Sequence, residues 1–343
     1  MLTAPDFSPW RYCVAPMMDW TNRHCRFFHR QLSQHARLYT EMVTTPALMH
    51  GNVPRHLDFD AAEHPVALQL GGSETDELAH CAKLAAQWGY DEVNLNCGCP
   101  SERVQRGAFG ACLMAEPLLV RDCVKAMVDA LASVQGGEAG ATPIPVTVKH
   151  RIGIDKNDSY DFVRDFVGIV SDGGARVFIV HARSAWLKGL SPKENREVPP
   201  LRYDFAAQLK RDFPAFTFVI NGGITSHADT ASHLDNCSGV MIGRHAYHEP
   251  WALHEVDQRF FGSVPCVHSR LDVVEAMHAY AVRETARGVP LRHITRHMLG
   301  LYQGMPGARA WRRMLSGSAR LAANNPNLLF EAAQLTQPAP LAA

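Results

Sequence analysis

Two asparagines and a cysteine fall close together in Val93-Asn94-Leu95-Asn96-Cys97-Gly98-Cys99-Pro100, ahead of a glycine-rich run to Leu113. Asparagine offers both donors and acceptors, and a thiol can act as acid, base or nucleophile. Apolar and polar residues alternate over 91–96, which predicts a short strand. Gly98 and Pro100 end it, because neither continues a central strand. Asn94, Asn96 and Cys99 are therefore expected at or just past the strand's carboxyl end. The next segment, Gly107-Ala108-Phe109-Gly110-Ala111-Cys112, is small enough to bend and to let a ligand approach. It reads as a mobile lid over Cys99. The structural alternative is a tight strand-to-helix turn with incidental cysteines.

The frame for these residues repeats one unit. Strands are expected at 12–15, 38–43, 66–70, 91–96, 145–149, 176–180, 216–220 and 239–242. Helical patterns separate nearly all of them, at 21–32, 73–88, 117–133, 159–171, 203–212 and 226–234. Thr21 is the expected cap of the first helix, and Ser73-x-x-Asp76 reads as a cap for the second. Pro117 suits the first turn of the third. Residues 44–64 form a longer irregular connection, and 135–141 a Gly/Ala-rich surface loop. Buried parallel strands alternating with helices, eight in about 240 residues, predict an α/β fold: a (β/α)8 TIM barrel over 1–250. After Pro250 the spacing turns helical, as at Val273, Met277, Tyr280 and Ala281. A small C-terminal helical domain is expected over 251–332, and a disordered tail over 333–343.

On this frame Pro16, Gln69, Asn94, Asn96, Lys149, His181, Asn221, Gly222, Gly223, Gly243 and Arg244 all fall at carboxyl ends of strands. That face of a barrel carries the active site. A lone strand-end lysine or histidine is ordinary, but packing alone does not gather so many polar groups on one rim. Asn221-Gly222-Gly223 and Gly243-Arg244 follow strands seven and eight, where barrels commonly hold phosphate. Gln69 suits a carbonyl and N–H pair, Lys149 a negative ring, and His181 a ring or phosphate oxygen. The division fits flavin mononucleotide (FMN) across the barrel mouth. Other readings remain: a flavin barrel reducing a free pyrimidine, a phosphosugar aldolase or isomerase with Lys149 as Schiff base, and a non-catalytic RNA-binding protein.

Thirty-four basic and 34 acidic residues give zero net charge. The distribution is uneven. Between Glu284 and Glu331 there is no acidic residue, while Arg287, Arg292, Arg296, Arg309, Arg312, Arg313 and Arg320 fall in that window. Unopposed arginines predict a face for a polyanion, since the planar guanidinium suits phosphate. Nine cysteines without a CxxC pair fit free thiols in a reducing cytoplasm and indicate no metal site. No apolar run spans a membrane and no signal peptide is evident. A cytoplasmic monomer is expected.

The segments Ala15-Pro16-Met17, Gln69-Leu70, Asn94 to Ser101, Lys149-His150-Arg151, His181-Ala182-Arg183 and Asn221-Gly222-Gly223 resemble the tRNA-dihydrouridine synthases. Cys97-Gly98-Cys99-Pro100-Ser101, Gly110-Ala111-Cys112-Leu113 and the run from Ser191 to Leu201 are similar to the A-type subfamily, which reduces D-loop uridines 20 and 20a. The resemblance covers residues 10–330. It implies FMN, NADPH as reductant and a helical tRNA-binding domain. It implies that Pro16, Met17 and Met18 contact the flavin through their backbone. Gln69, Lys149 and His181 would hold its ring and side chain, and Asn221, Gly222, Gly223, Gly243 and Arg244 its phosphate. Cys99 matches the catalytic cysteine; Asn96, Lys193, Arg196, Arg309 and Arg312 match positions that touch tRNA. Reduction of a uracil C5=C6 bond needs hydride at C6 and a proton at C5, and a thiol, mostly protonated at neutral pH, can be the acid. The target base must leave the RNA fold, and Asn96 would hold it there.

Overall fold

The computed structural model describes residues 7–135 and 144–336. Eight parallel strands close into a barrel in sequential order. They are β1 (Tyr12–Val14), β2 (Arg37–Thr44), β3 (Val66–Gly71), β4 (Glu92–Cys97), β5 (Val146–Arg151), β6 (Val177–His181), β7 (Thr217–Asn221) and β8 (Gly239–Ile242). The expected eight-stranded barrel is therefore present.

Alternation along the strands sorts the residues into two sets. Outward residues such as Val66, Leu68, Leu70, Val93, Leu95 and Val148 join one large core with the surrounding helices. A second, smaller apolar set, including Ala15, Tyr39, Ala67, Ile179 and Val219, packs inside the barrel. Gln69, Asn94, Asn96, Thr147, Lys149, Arg151, His181 and Asn221 share the inward parity. Strand register puts Gln69 beside Asn94, Asn94 beside Thr147, and Asn96 beside Lys149. One level higher, Arg151, His181 and Asn221 are neighbours on β5, β6 and β7.

Several local expectations change. Asn94 lies within β4 and is fully buried, because pairing of Cys97 with His150 carries the ladder further. Lys149 does not end β5, which runs on to Arg151 opposite His181. The first helix, Arg23–Arg30, is capped by Asn22, which accepts from His24 and Cys25 N–H. Thr21 bonds back to Met17 instead. Helix Thr75–Gln87 has Glu74, not Ser73, in the cap position, with no side-chain cap bond among the described residues. The 44–64 connection contains short helices Thr45–His50 and Val53–Leu57 and a 3-10 turn Ala61–Glu63. Part of the Gly/Ala-rich 135–141 loop, from residue 136, lies outside the described residues.

Barrel packing continues past residue 250. Helix Val256–Phe261 sends Asp257 to Ser33 Oγ and to the N–H groups of Gln34 and His35, and Phe260 stacks on Tyr12 at 5.8 Å. The helices beyond it form the C-terminal helical region. Val273, Met277, Tyr280 and Ala281 are buried on helix Arg270–Ala286. Tyr280 stacks on Phe27 at 4.0 Å and meets His24 Nδ1 at 2.7 Å, docking this region on the first barrel helix. Trp311, fully buried, donates to the Met298 carbonyl at 2.9 Å. A large apolar side chain buried in this way contributes about 2 kcal/mol. Residues 333–336, expected in the tail, are part of the folded region. Helix Leu328–Gln334 buries Ala332 and Ala333, and Thr336 is also buried, so packing continues past 333. Residues 337–343 lie outside the described residues.

Candidate active site

The inward residues at the strand ends open into a cavity of about 1010 Å3 at the carboxyl-terminal mouth of the barrel. It collects every residue assigned to the cofactor: Pro16, Met17, Met18, Gln69, Lys149, His181, Asn221, Gly222, Gly223, Gly243 and Arg244. Cys99, Asn96 and Arg196 line the same space. Lys193 is exposed on the turn next to Arg196. Arg309 and Arg312 lie elsewhere, on helix Ala308–Ser316.

The main chain around Cys99 is held from two sides. Asn96 Oδ1 accepts from the N–H groups of Gly98 and Cys99, each at 3.0 Å. The Cys99 carbonyl accepts from Ala111 N–H at 2.9 Å. Cys99 Sγ stands 3.6 Å from Ser101 Oγ. Gly110 has φ +78°, and a Cβ there would meet the Cys99 carbonyl oxygen at 2.6 Å. Phe109, Gly110 and Ala111 are buried. Residues 109–111 of the expected lid are thus packed against the cysteine's own backbone, while Gly107 and Ala108 are exposed.

Cations crowd the neighbouring wall, where β5 pairs with β4 and Arg151 reaches the Gly98 carbonyl. Burial, then repulsion from Arg151, pulls the Lys149 ammonium from 10.5 down to about 7. Burial also lowers Arg151, to about 9, although its guanidinium donates to the carbonyls of Gly98, Ser184 and Asn195. His181 is pushed well below its ordinary value by burial and by the charges of Arg151 and Lys149. Burial and Arg244 lower Arg196. Negative charge on Cys99 would act the other way on Lys149, Arg151 and Arg196. This wall is short of an anion.

A glycine cradle adjoins it. Gly222 has φ +111° and Gly223 φ +73°. A Cβ on Gly222 would meet His181 Cδ2 at 2.6 Å. Tyr203 OH donates to the Gly222 carbonyl at 2.7 Å, and Asn221 Nδ2 to the Met241 carbonyl at 2.7 Å. The N–H groups of Gly222, Gly223, Gly243 and Arg244 have no acceptor among the described residues. Arg244 pairs with Glu197 at 2.6 Å across the rim. Amides without acceptors beside a cationic wall suit a phosphate, and the inward Gln69 amide suits a ring lactam. The donor set fits a flavin nucleotide.

Arg151 and Glu41 were not singled out for a role from sequence, yet both line the cavity. Arg151 shares inward parity with Lys149, so the period-two pattern was the available signal. Burial raises the Glu41 carboxyl, which accepts a backbone bond from Asp19. Glu41 sits where β2 shifts register between Tyr39 and Met42, and no sequence pattern marks such a shift.

The family model described as dihydrouridine synthase (Dus) matches residues 13–337. The chain belongs to the dihydrouridine synthase family. It is 53% identical over 337 residues to the tRNA-dihydrouridine(20/20a) synthase of Yersinia pestis, covering 98% of this chain and 94% of that protein. Proteins with the same name from Pseudomonas putida and Escherichia coli K12 are each 56% identical. Those alignments cover 95% of this chain, and 94% and 91% of the relatives respectively. The resemblance to the A-type subfamily is therefore upheld. All nine cysteines of this family member are free. None of its helices among the described residues is long and apolar enough to cross a membrane.

Proposed function

We propose that this family member reduces the C5=C6 bond of uridines 20 and 20a in the D-loop of tRNA, with FMN as cofactor and NADPH as reductant. The observation that carries the reading is convergence. Cys99, Gln69, Lys149, His181 and the Gly222-Gly223 cradle, distant in sequence, line one cavity at the barrel mouth. Relatives of 53–57% identity named for this activity support the substrate assignment.

Gln69, Lys149 and His181 hold the ring and side chain of the flavin. Backbone groups of Pro16, Met17 and Met18 flank it, and Asn221, Gly222, Gly223, Gly243 and Arg244 hold the phosphate. Bound there, FMN supplies the hydride for uracil C6. The Cys99 thiol gives its proton to C5. The thiolate left behind faces Lys149, Arg151 and Arg196, which stabilise it. Asn96 positions the Cys99 backbone and keeps one amide hydrogen for a base flipped into the cavity. Arg196 and Lys193 grip the tRNA at the rim.

Arg309, Arg312 and Arg313 share one face of helix Ala308–Ser316 at helical spacing. Arg309 and Arg313 are exposed, and Arg312 bonds Gln303 at 2.6 Å. These three have no carboxylate partner among the described residues. This face binds the tRNA backbone away from the reacting base. The protein works as a monomer in the cytoplasm.

NADPH oxidation by the FMN-loaded protein tests the reading. Stimulation by tRNA lacking dihydrouridine, and not by free uracil, is expected. Stimulation by free uracil alone would select the metabolite reductase.

A further inference from the structure

A line of hydrogen bonds crosses the barrel interior from Glu92 on β4 to the main chain of Cys99. Glu92, fully buried, accepts from Trp10 Nε1 at 2.7 Å, Tyr39 OH at 2.8 Å, an Arg37 terminal nitrogen at 3.2 Å and Thr147 Oγ1 at 2.5 Å. Asn94 Nδ2 donates to Thr147 Oγ1 at 2.7 Å, and Gln69 Nε2 donates to Asn94 Oδ1 at 2.8 Å. Asn96 Nδ2 donates to Gln69 Oε1 at 2.9 Å, and Asn96 Oδ1 accepts from the N–H groups of Gly98 and Cys99.

Both ends fix its direction. Backbone N–H groups only donate, so the Asn96 atom facing them is oxygen, and its nitrogen must face an oxygen of Gln69. Gln69 then offers nitrogen to Asn94, and Asn94 offers nitrogen to the Thr147 hydroxyl. From the other end, the Glu92 carboxylate only accepts, so Thr147 gives it its single hydrogen and must accept from Asn94. The two deductions agree at every link. A reversed Gln69 would set two donors against each other at Asn96 and two acceptors at Asn94. Leaving such buried groups unpaired is costly.

We propose that Glu92, Thr147 and Asn94 are positioning residues that lock the Gln69 amide in one orientation and so set the donor–acceptor pattern the cavity presents to a ligand ring. Glu92, Thr147 and Asn94 are wholly buried and do not line the cavity. Their effect passes through Gln69, which keeps one N–H and one lone pair for a ring lactam. The inference rests on the reading of Gln69 as a ring-binding residue.

Titration of flavin-free protein with FMN, followed by fluorescence and by the visible absorption of the bound flavin, tests it. Thr147→Val keeps the shape and removes the hydroxyl. We expect FMN affinity to fall about tenfold, with shifted absorption bands, and Thr147→Ser to restore both. Wild-type affinity and bands in Thr147→Val, or equal losses in the Val and Ser variants, would overturn the proposal. A lowered melting temperature alone, with FMN binding unchanged, would show a merely structural role and overturn it too. If the wild-type protein binds no FMN, the flavin reading falls, and this inference with it. A measurement on the unaltered chain needs no variant to fold. With 15N-labelled Asn and Gln, FMN should move the side-chain signals of both Gln69 and buried Asn94; a fixed Asn94 signal would contradict the relay.

Discussion

The barrel mouth and the arginine face of the helical region both concentrate positive charge, but they hold it differently. At the mouth, Arg151 is buried and tied to three carbonyls, and Lys149 is pulled down to about 7 beside it. On helix Ala308–Ser316, Arg309 and Arg313 are exposed and free to adapt. A charge fixed by burial has one geometry and acts on a ligand atom at one place. An exposed arginine follows a phosphate backbone, and its contribution is screened by salt. The mouth should therefore govern chemistry and cofactor binding, and the helical face should govern only the strength and salt dependence of tRNA binding.

The largest expected effect breaks the mouth alone. Cys99→Ala should cut turnover about 10²–10⁴-fold in single-turnover assays. Equilibrium binding of FMN and tRNA to the same variant should match wild type. An active variant would remove Cys99 from the acid role.

Next in size is the cradle. Gly222→Val places a side chain at φ +111° and against His181. Strain and overlap together should weaken FMN about hundredfold in fluorescence titration. The corresponding change at Gly243 should be milder, because a Cβ there meets nothing closer than 3.8 Å.

Proton linkage sharpens the comparison further. The Lys149 pKa falls from 10.5 to about 7 on folding, so between those values the unfolded chain holds the proton and the folded chain releases it. This group's contribution to stability is present above 10.5 and is lost as pH drops through that window to 7. An anionic ligand beside Lys149 brings the proton back. FMN affinity should therefore fall as pH rises above 7, by at most about tenfold per unit. Lys149→Met should flatten this slope, whereas altering the arginine face should leave it intact.

The smallest effect belongs to that face. Arg309→Ala combined with Arg312→Ala should weaken tRNA binding about fivefold near physiological salt and reduce the log–log salt slope by about 2. Basal NADPH oxidation should not change. An unchanged slope would mean that tRNA does not cross this helix.

The contrast also explains what could be read beforehand. Barrel strands buried on both faces leave near-continuous apolar runs, and the polar residues at their ends stand out from them, so the fold and most of the rim were legible. Cys99, Lys149 and His181 stand out in that way, and all three line the cavity. Arg151 sits one alternation beyond Lys149, past the expected end of the strand, because the ladder continues opposite His181. Glu41 depends on a register shift in β2. The packing of residues 109–111 against the Cys99 main chain depends on a tertiary bond from Ala111, which composition does not encode. Spacing places Asn94 on the rim, but its partners on β3 and β5 make it an interior link. Sequence spacing shows which residues share a face; the register between strands decides which of them touch.

The most direct measurement treats tRNA from cells lacking dihydrouridine with the protein, FMN and NADPH, then maps by mass spectrometry which nucleotide gains a pair of hydrogens. The account predicts the gain at positions 20 and 20a, with none when Cys99→Ala replaces the wild type. A gain confined to other positions, or none on tRNA from a protein that binds FMN and oxidises NADPH, would contradict it.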